Sequence, residues 1–179
     1  MNYIKLSFIL LLTTLFMGSL QSQDRTALRA GFMIQEFAGD FGLGLQLDIP
    51  TAQHWPVIWL AGSWLWKEIP VNNDFGEARF QTVRLGLASK SFKVDDQIRV
   101  YGEGGVKAIL LNDELSTESL ELGGYGLFGF EFFVREYGGS AIFLEMGGSS
   151  VGNGIERKEG IPTLGSGFMM GAGFRLALN

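Results

Sequence analysis

His54 is the only histidine in the chain, so any Ser-His-acid relay would have to use it. It stands in TAQHWP, residues 51–56, a stretch with the composition of a turn, and no catalytic role is assigned to it. The glycines of GYGLFG, residues 124–129, match the spacing of a dinucleotide fingerprint, but that motif needs a helix after it. Here the chain runs on as FEFFV, an extended pattern, so the match reflects abundant glycine. Asp113, Glu114, Glu118 and Glu121 crowd one segment and read as a solvated acidic loop rather than an oxygen-ligand cation site. GGSSVGNG, residues 147–154, lacks the lysine and helix of a phosphate loop and reads as a flexible connection. No catalytic residue, cofactor or metal site is therefore expected.

One constellation remains, made of charges that alternate with apolar residues: Arg29, Asp48, Arg84, Arg99, Glu103, Lys107, Glu131, Glu145 and Arg175. Each sits on the small or polar side of a period-two pattern, the side-chain period of a β-strand. Gathered on the inside of a closed sheet they would persist only if paired and hydrogen-bonded. Arg99, Glu103 and Lys107 recur every four residues along one strand and are expected to meet acids such as Glu131 and Glu145 from its neighbours.

Eight segments carry the alternation: residues 27–37, 41–49, 57–67, 80–92, 97–110, 123–135, 140–148 and 164–178. The last is the clearest, with Phe168, Met170, Ala172, Phe174, Leu176 and Leu178 on one face and Gly167, Met169, Gly171, Gly173 and Arg175 on the other. The third is apolar on both faces, and its phase stays open. All four prolines, Pro50, Pro56, Pro70 and Pro162, fall between these segments, where a missing N–H breaks no ladder.

Residues 1–22 have the layout of a secretory signal peptide: Lys5, the apolar run LSFILLLTTLFM, then Gly18, Ser19 and Ser22 around a cut. Its removal leaves residues 23–179 as one domain and takes away Lys5 but no acid, so the net charge moves from -5 to -6. That sign excludes nucleic acid as a partner, and the absence of cysteine excludes a disulfide framework. No later segment is apolar for long enough to span a membrane as a helix, so insertion would have to be by strands closed into a barrel.

Alternation alone does not say which face is inside, since a soluble lipocalin-type barrel shares the period with its oily face inward. The polar face here is glycine plus balanced charge, which suits a narrow interior better than a solvated exterior. Trp55 and the pair Trp64 and Trp66 bracket the third strand, as rings at two membrane interfaces would. Short inner turns at 50–56, 93–96 and 136–139 alternate with long outward loops at 68–79, 111–122 and 149–163.

On signal peptide, strand count, alternation and final strand, the chain resembles the small eight-stranded outer-membrane barrels of Gram-negative bacteria, the OmpX and OmpA class, over residues 27–178. It departs from many of them in ending Ala177-Leu178-Asn179 instead of on an aromatic residue. The resemblance implies an all-β, antiparallel up-and-down transmembrane barrel in the outer membrane. The partners it implies are outer-membrane lipid and, during insertion, the barrel-assembly machinery. The expected function is structural or loop-mediated interaction, with an extracellular or envelope protein partner, around a lumen filled by side chains. A narrow conduit for small or apolar molecules is the alternative, and a soluble ligand-binding barrel comes third.

Overall fold

The computed structural model describes residues 28–51, 56–71, 74–89, 92–95, 97–112, 119–134, 140–151 and 166–178. The signal segment, Trp55, His54 and the connections 113–118, 135–139 and 152–165 lie outside them. Nine strands follow one another: β1 Leu28–Phe37, β2 Asp40–Ile49, β3 Val57–Val71, β4 Asp74–Ala88, the two-residue β5 Phe92–Lys93, β6 Ile98–Leu110, β7 Leu120–Phe133, β8 Ala141–Val151 and β9 Gly167–Leu178. Each long strand pairs antiparallel with the next. β1 pairs with β9 and β4 with β6, so eight strands close into an up-and-down barrel, while β5 only fringes β6.

The stagger follows from the register. Val57 leads through Ala88, Glu103, Leu127, Gly147, Met169 and Phe37 to Asp40. Phe41 faces Trp66, so Asp40 stands opposite Lys67, ten residues beyond the start on β3. Eight strands about 4.8 Å apart with that stagger, at about 3.3 Å per residue, tilt by about 41° and enclose a cylinder of radius about 8 Å. Such a cylinder has room for side chains and little else.

The polarity is inverted relative to a soluble protein. The outward row of every long strand is apolar and exposed, as in Leu45, Leu60, Leu85, Val106, Phe128, Leu144, Met170 and Phe174. The inward row buries Arg29, Asp48, Arg84, Glu103, Lys107, Glu131, Glu145 and Arg175. The open phase of the third strand resolves with Trp59 inward and Trp64 outward. Trp66 joins Trp64 on the outer wall, where it stacks on Phe41 at 6.1 Å beside the β1–β2 turn.

Four expectations are corrected. Residues 68–79 form no long loop: β3 and β4 stay paired from Trp66 with Arg79 to Val71 with Asp74, a two-stranded ribbon rising past the end of β2. Pro70 therefore lies inside a strand. Beyond Trp66 the β3 edge has no ladder partner in β2, so the missing N–H costs no cross-strand bond there. Residues 147–151 belong to β8, not to a flexible connection, and Glu121 belongs to β7 and is buried, not part of a solvated loop. The β1–β2 hairpin turns on two residues at positive φ, Ala38 and Gly39, which matches the twist of a two-residue hairpin.

Candidate functional site

The last strand places the centre of the site. Arg175 projects from β9 into the end of the barrel near the chain termini and is completely buried. Its Nη1 donates to Glu131 Oε1 at 2.5 Å and its Nη2 to Glu145 Oε1 at 2.5 Å, while Nε lies 3.6 Å from Asp48 Oδ2. Arg29 closes the circuit by donating to Asp48 Oδ2 at 2.6 Å and to Glu131 Oε1 at 2.7 Å. Four strands, β1, β2, β7 and β9, supply these four groups, and β8 supplies Glu145. The ten-residue stagger explains why residues so far apart in sequence share one level.

Uncharged side chains complete the site. The Tyr101 hydroxyl donates to Glu145 Oε1 at 2.8 Å and accepts from Arg175 Nη2 at 2.9 Å. Trp59 and Phe143 hold the Arg175 guanidinium between their rings, at 4.1 and 4.0 Å. The Gln46 amide satisfies both its groups when its oxygen faces Arg175, where it accepts from Nε and from Nη2. Gly129 is required beside this cluster, because a Cβ there would overlap the Tyr101 ring. Gly86 does the same for the Tyr125 hydroxyl, which donates to Glu103 Oε1.

The other charges do not all join. Arg99 stands opposite Glu131 in register and packs on the Phe133 ring at 4.1 Å. Arg84 reaches Glu145 Oε2 only at 3.7 Å, and its Nη2 meets the Met33 thioether at 3.5 Å. Lys107 is separate from the carboxylates expected for it. Its Nζ lies over the Phe37 ring, 3.2 Å from the centroid. Above it the lumen turns apolar, with Phe37, Leu65, Phe80, Ile109, Leu111, Val151 and Met169 buried together. At the far rim Lys67 Nζ donates to Asp40 at 2.9 and 3.0 Å, a pair the sequence did not single out.

Tyr101 and Phe143 were legible as inward residues from their alternation with Glu103 and Glu145. Nothing in their spacing marked them as partners of Arg175. Trp59 and Lys67 were hidden by the two-sided apolar pattern of their strand. Among the described residues no three His, Cys, Asp or Glu side chains converge as a metal site. The carboxylates at the centre accept from guanidinium and hydroxyl donors, with Asp48 Oδ1 left buried without a partner among the described residues, and the arrangement ties five strands together. His54, Asp113, Glu114 and Glu118 lie outside the described residues.

No family model matches the chain, and no curated protein matches it in sequence. Solved structures do match in shape. The crystal structure of the N-terminal β-barrel domain of Pseudomonas aeruginosa OprF superposes with a TM-score of 0.58 at 12% identity, covering 87% of this chain and 100% of that domain. The chain is thus an all-β, closed eight-stranded antiparallel barrel of the same fold as the OprF N-terminal domain.

Proposed function

We propose that this chain is an outer-membrane barrel whose lumen is plugged by its own side chains and whose activity resides in what it displays at the end away from the termini. One observation carries the reading: the wall is oily outside and charged inside, with buried guanidinium–carboxylate pairs where a soluble barrel would keep its core. An exposed apolar belt on every strand is costly in water and favourable in hydrocarbon, and only a closed ladder hides the backbone there. The signal segment of residues 1–22 supports export, and the similarity in fold to the OprF barrel domain supports the same address. Lipid is then the solvent of the wall, and the assembly machinery its route in.

The plug follows from size. Eight strands enclose a lumen that side chains fill, whereas water-filled porins need about 16 to 18. Here the Arg175 cluster fills one half and the Phe37, Leu65, Phe80 and Ile109 group the other. Display then falls to the β3–β4 ribbon and to the connections 113–118 and 152–165.

Purified protein reconstituted in a planar bilayer is expected to show no stable large conductance. On gels it is expected to migrate differently before and after boiling, because a closed ladder resists detergent. Shortening the two connections and the ribbon should preserve that heat-dependent mobility while removing cross-links to any envelope or extracellular partner on whole cells. Steady, salt-dependent channels that persist after shortening would replace this reading with the narrow conduit.

A further inference from the structure

The outer wall is not evenly covered. On the face turned away from the lumen, Trp66 stands opposite Arg79 at the rim, and Trp64 stands opposite Gln81 one row nearer the termini. The next row is interrupted. Between Leu45 and Val83 it carries only Gly62, and a Cβ there would meet nothing within 4 Å. A groove of about 790 Å³ runs along this part of the wall, from Arg79 and Gln81 past Trp64 to Leu45 and Phe32. That volume lies within the range of ligand clefts, roughly 300–1,000 Å³.

The two ends of the groove differ in chemistry, and their separation has a meaning in a bilayer. In a barrel tilted by about 41°, each cross-strand step from β1 toward β4 climbs about 3 Å along the axis, and each residue of a strand climbs about 2.5 Å. Phe32, Leu45, Gly62 and Val83 face one another in register, and Arg79 lies four residues further up β4. Arg79 therefore stands about 20 Å above Phe32. Half a bilayer with its headgroups measures about 20–22 Å. The groove thus spans one leaflet, apolar at the depth of acyl chains and cationic at the depth of headgroups.

Arg79 is open to a partner. Its side chain is 75% exposed, and its ion pair with Glu77, itself 53% exposed, is stretched to 3.9 Å, so water screens it and it contributes little. Glu77 faces Glu68 one row further out, so a headgroup rising from the hydrocarbon meets the guanidinium before the acids. Trp64 and Trp66 beside it match the aromatic girdle of an interface. A guanidinium at that level donates to phosphate through two parallel N–H groups, and a glutamine amide adds a third donor.

We propose that this groove holds one anionic phospholipid from the leaflet at the end away from the termini, with its phosphate on Arg79 and Gln81 and an acyl chain lying over Gly62 between Trp64 and Leu45. The assignment rests on the outer-membrane reading of the wall and goes beyond it. That reading needs only a fluid hydrocarbon solvent, whereas the groove supplies a fixed cation for the headgroup and a bare floor for the chain.

The test is native mass spectrometry of the whole refolded barrel, released from a neutral detergent containing dimyristoylphosphatidylglycerol and dimyristoylglycerol in equal amounts. The two lipids share their chains and differ in the phosphate headgroup. One phosphatidylglycerol is expected to stay bound in preference to dimyristoylglycerol. Arg79→Ala should weaken its retention about fivefold, the effect of one basic side chain at a lipid surface. Gly62→Leu should lower retention by a similar factor by filling the floor. Neither change reaches the lumen, so heat-dependent gel mobility should persist in both. Gly126→Leu, which puts the same side chain on the outer face of β7, should leave retention unchanged. Equal retention of the two lipids, or full retention of phosphatidylglycerol in Arg79→Ala and Gly62→Leu, would overturn the site while the heat-dependent mobility still supported the membrane reading. A barrel that stays in solution without detergent and shows no such mobility would remove both.

Discussion

Arg175→Met is expected to destabilise the barrel by about 3–5 kcal/mol, the cost of removing one partner from a buried ion pair and leaving the other charge uncompensated. Here the effect should lie at the upper end, because one guanidinium serves Glu131, Glu145 and the Tyr101 hydroxyl, and lies 3.6 Å from Asp48. Methionine fills much of the same volume between Trp59 and Phe143, so the loss would be electrostatic more than steric. Against a total stability of about 5–15 kcal/mol that is enough to move the urea midpoint far down and to erase the heat-dependent gel mobility. Arg175→Lys should rescue little. A lysine is a point charge on a flexible stem and cannot donate along the planar fork that reaches two carboxylates at once. Adding Glu145→Gln to Arg175→Met should recover part of the loss, because it removes a stranded charge. An unchanged midpoint in Arg175→Met would show that the carboxylates are neutralised without the guanidinium, and the plug would lose its centre.

The strands were legible in the sequence because period two is strong wherever one face is oily and the other is glycine or charge. Residues 41–49 and 164–178 contain the observed β2 and β9 to within a few positions. Residues 68–79 were misread for a physical reason. Pro70 and the acids Glu68, Asp74 and Glu77 look like loop chemistry, yet a ribbon above the rim has an edge where proline costs nothing. Asn72 and Asn73, residue types that suit a tight turn, were the signal that could have shown the hairpin.

The site was half legible. Alternation put each of the nine charges on its face, but it carries no information about level along the barrel axis. Arg99, Glu103 and Lys107 share a face, yet residues four apart on a strand are about 13 Å apart and cannot form one cluster. What meets what depends on the stagger, which appears only when the first strand closes on the last, β1 on β9. That closure brings Arg29, Asp48, Glu131 and Arg175 to one level and leaves Lys107 beside Phe37. The aromatic partners were invisible for another reason: Trp59 lies in a strand that is apolar on both faces, so its direction is set by register with β2 and β4 and not by pattern.

Leu85→Arg tests the oily wall, and it should cost about 2–4 kcal/mol if that wall faces hydrocarbon at mid-depth. Leu85 is 50% exposed on β4, and its cross-strand neighbours Leu60 and Val106 are exposed on the same outer face. Nothing inside the barrel is touched by the change, so packing and the lumen pairs remain as they are. The cost would come from the solvent alone. Leu178→Arg at the end of β9 is the control, since near an interface the same substitution costs only about 0–1 kcal/mol. Urea titrations of both variants refolded into lipid vesicles should therefore separate by about 1–4 kcal/mol in the order expected from depth. A soluble barrel predicts the opposite. At a half-exposed position in water a leucine-to-arginine change stays within about 0.5 kcal/mol and improves solubility. If Leu85→Arg and Leu178→Arg are equally harmless and the protein stays in the aqueous phase, the belt is facing water, and the membrane address falls with it.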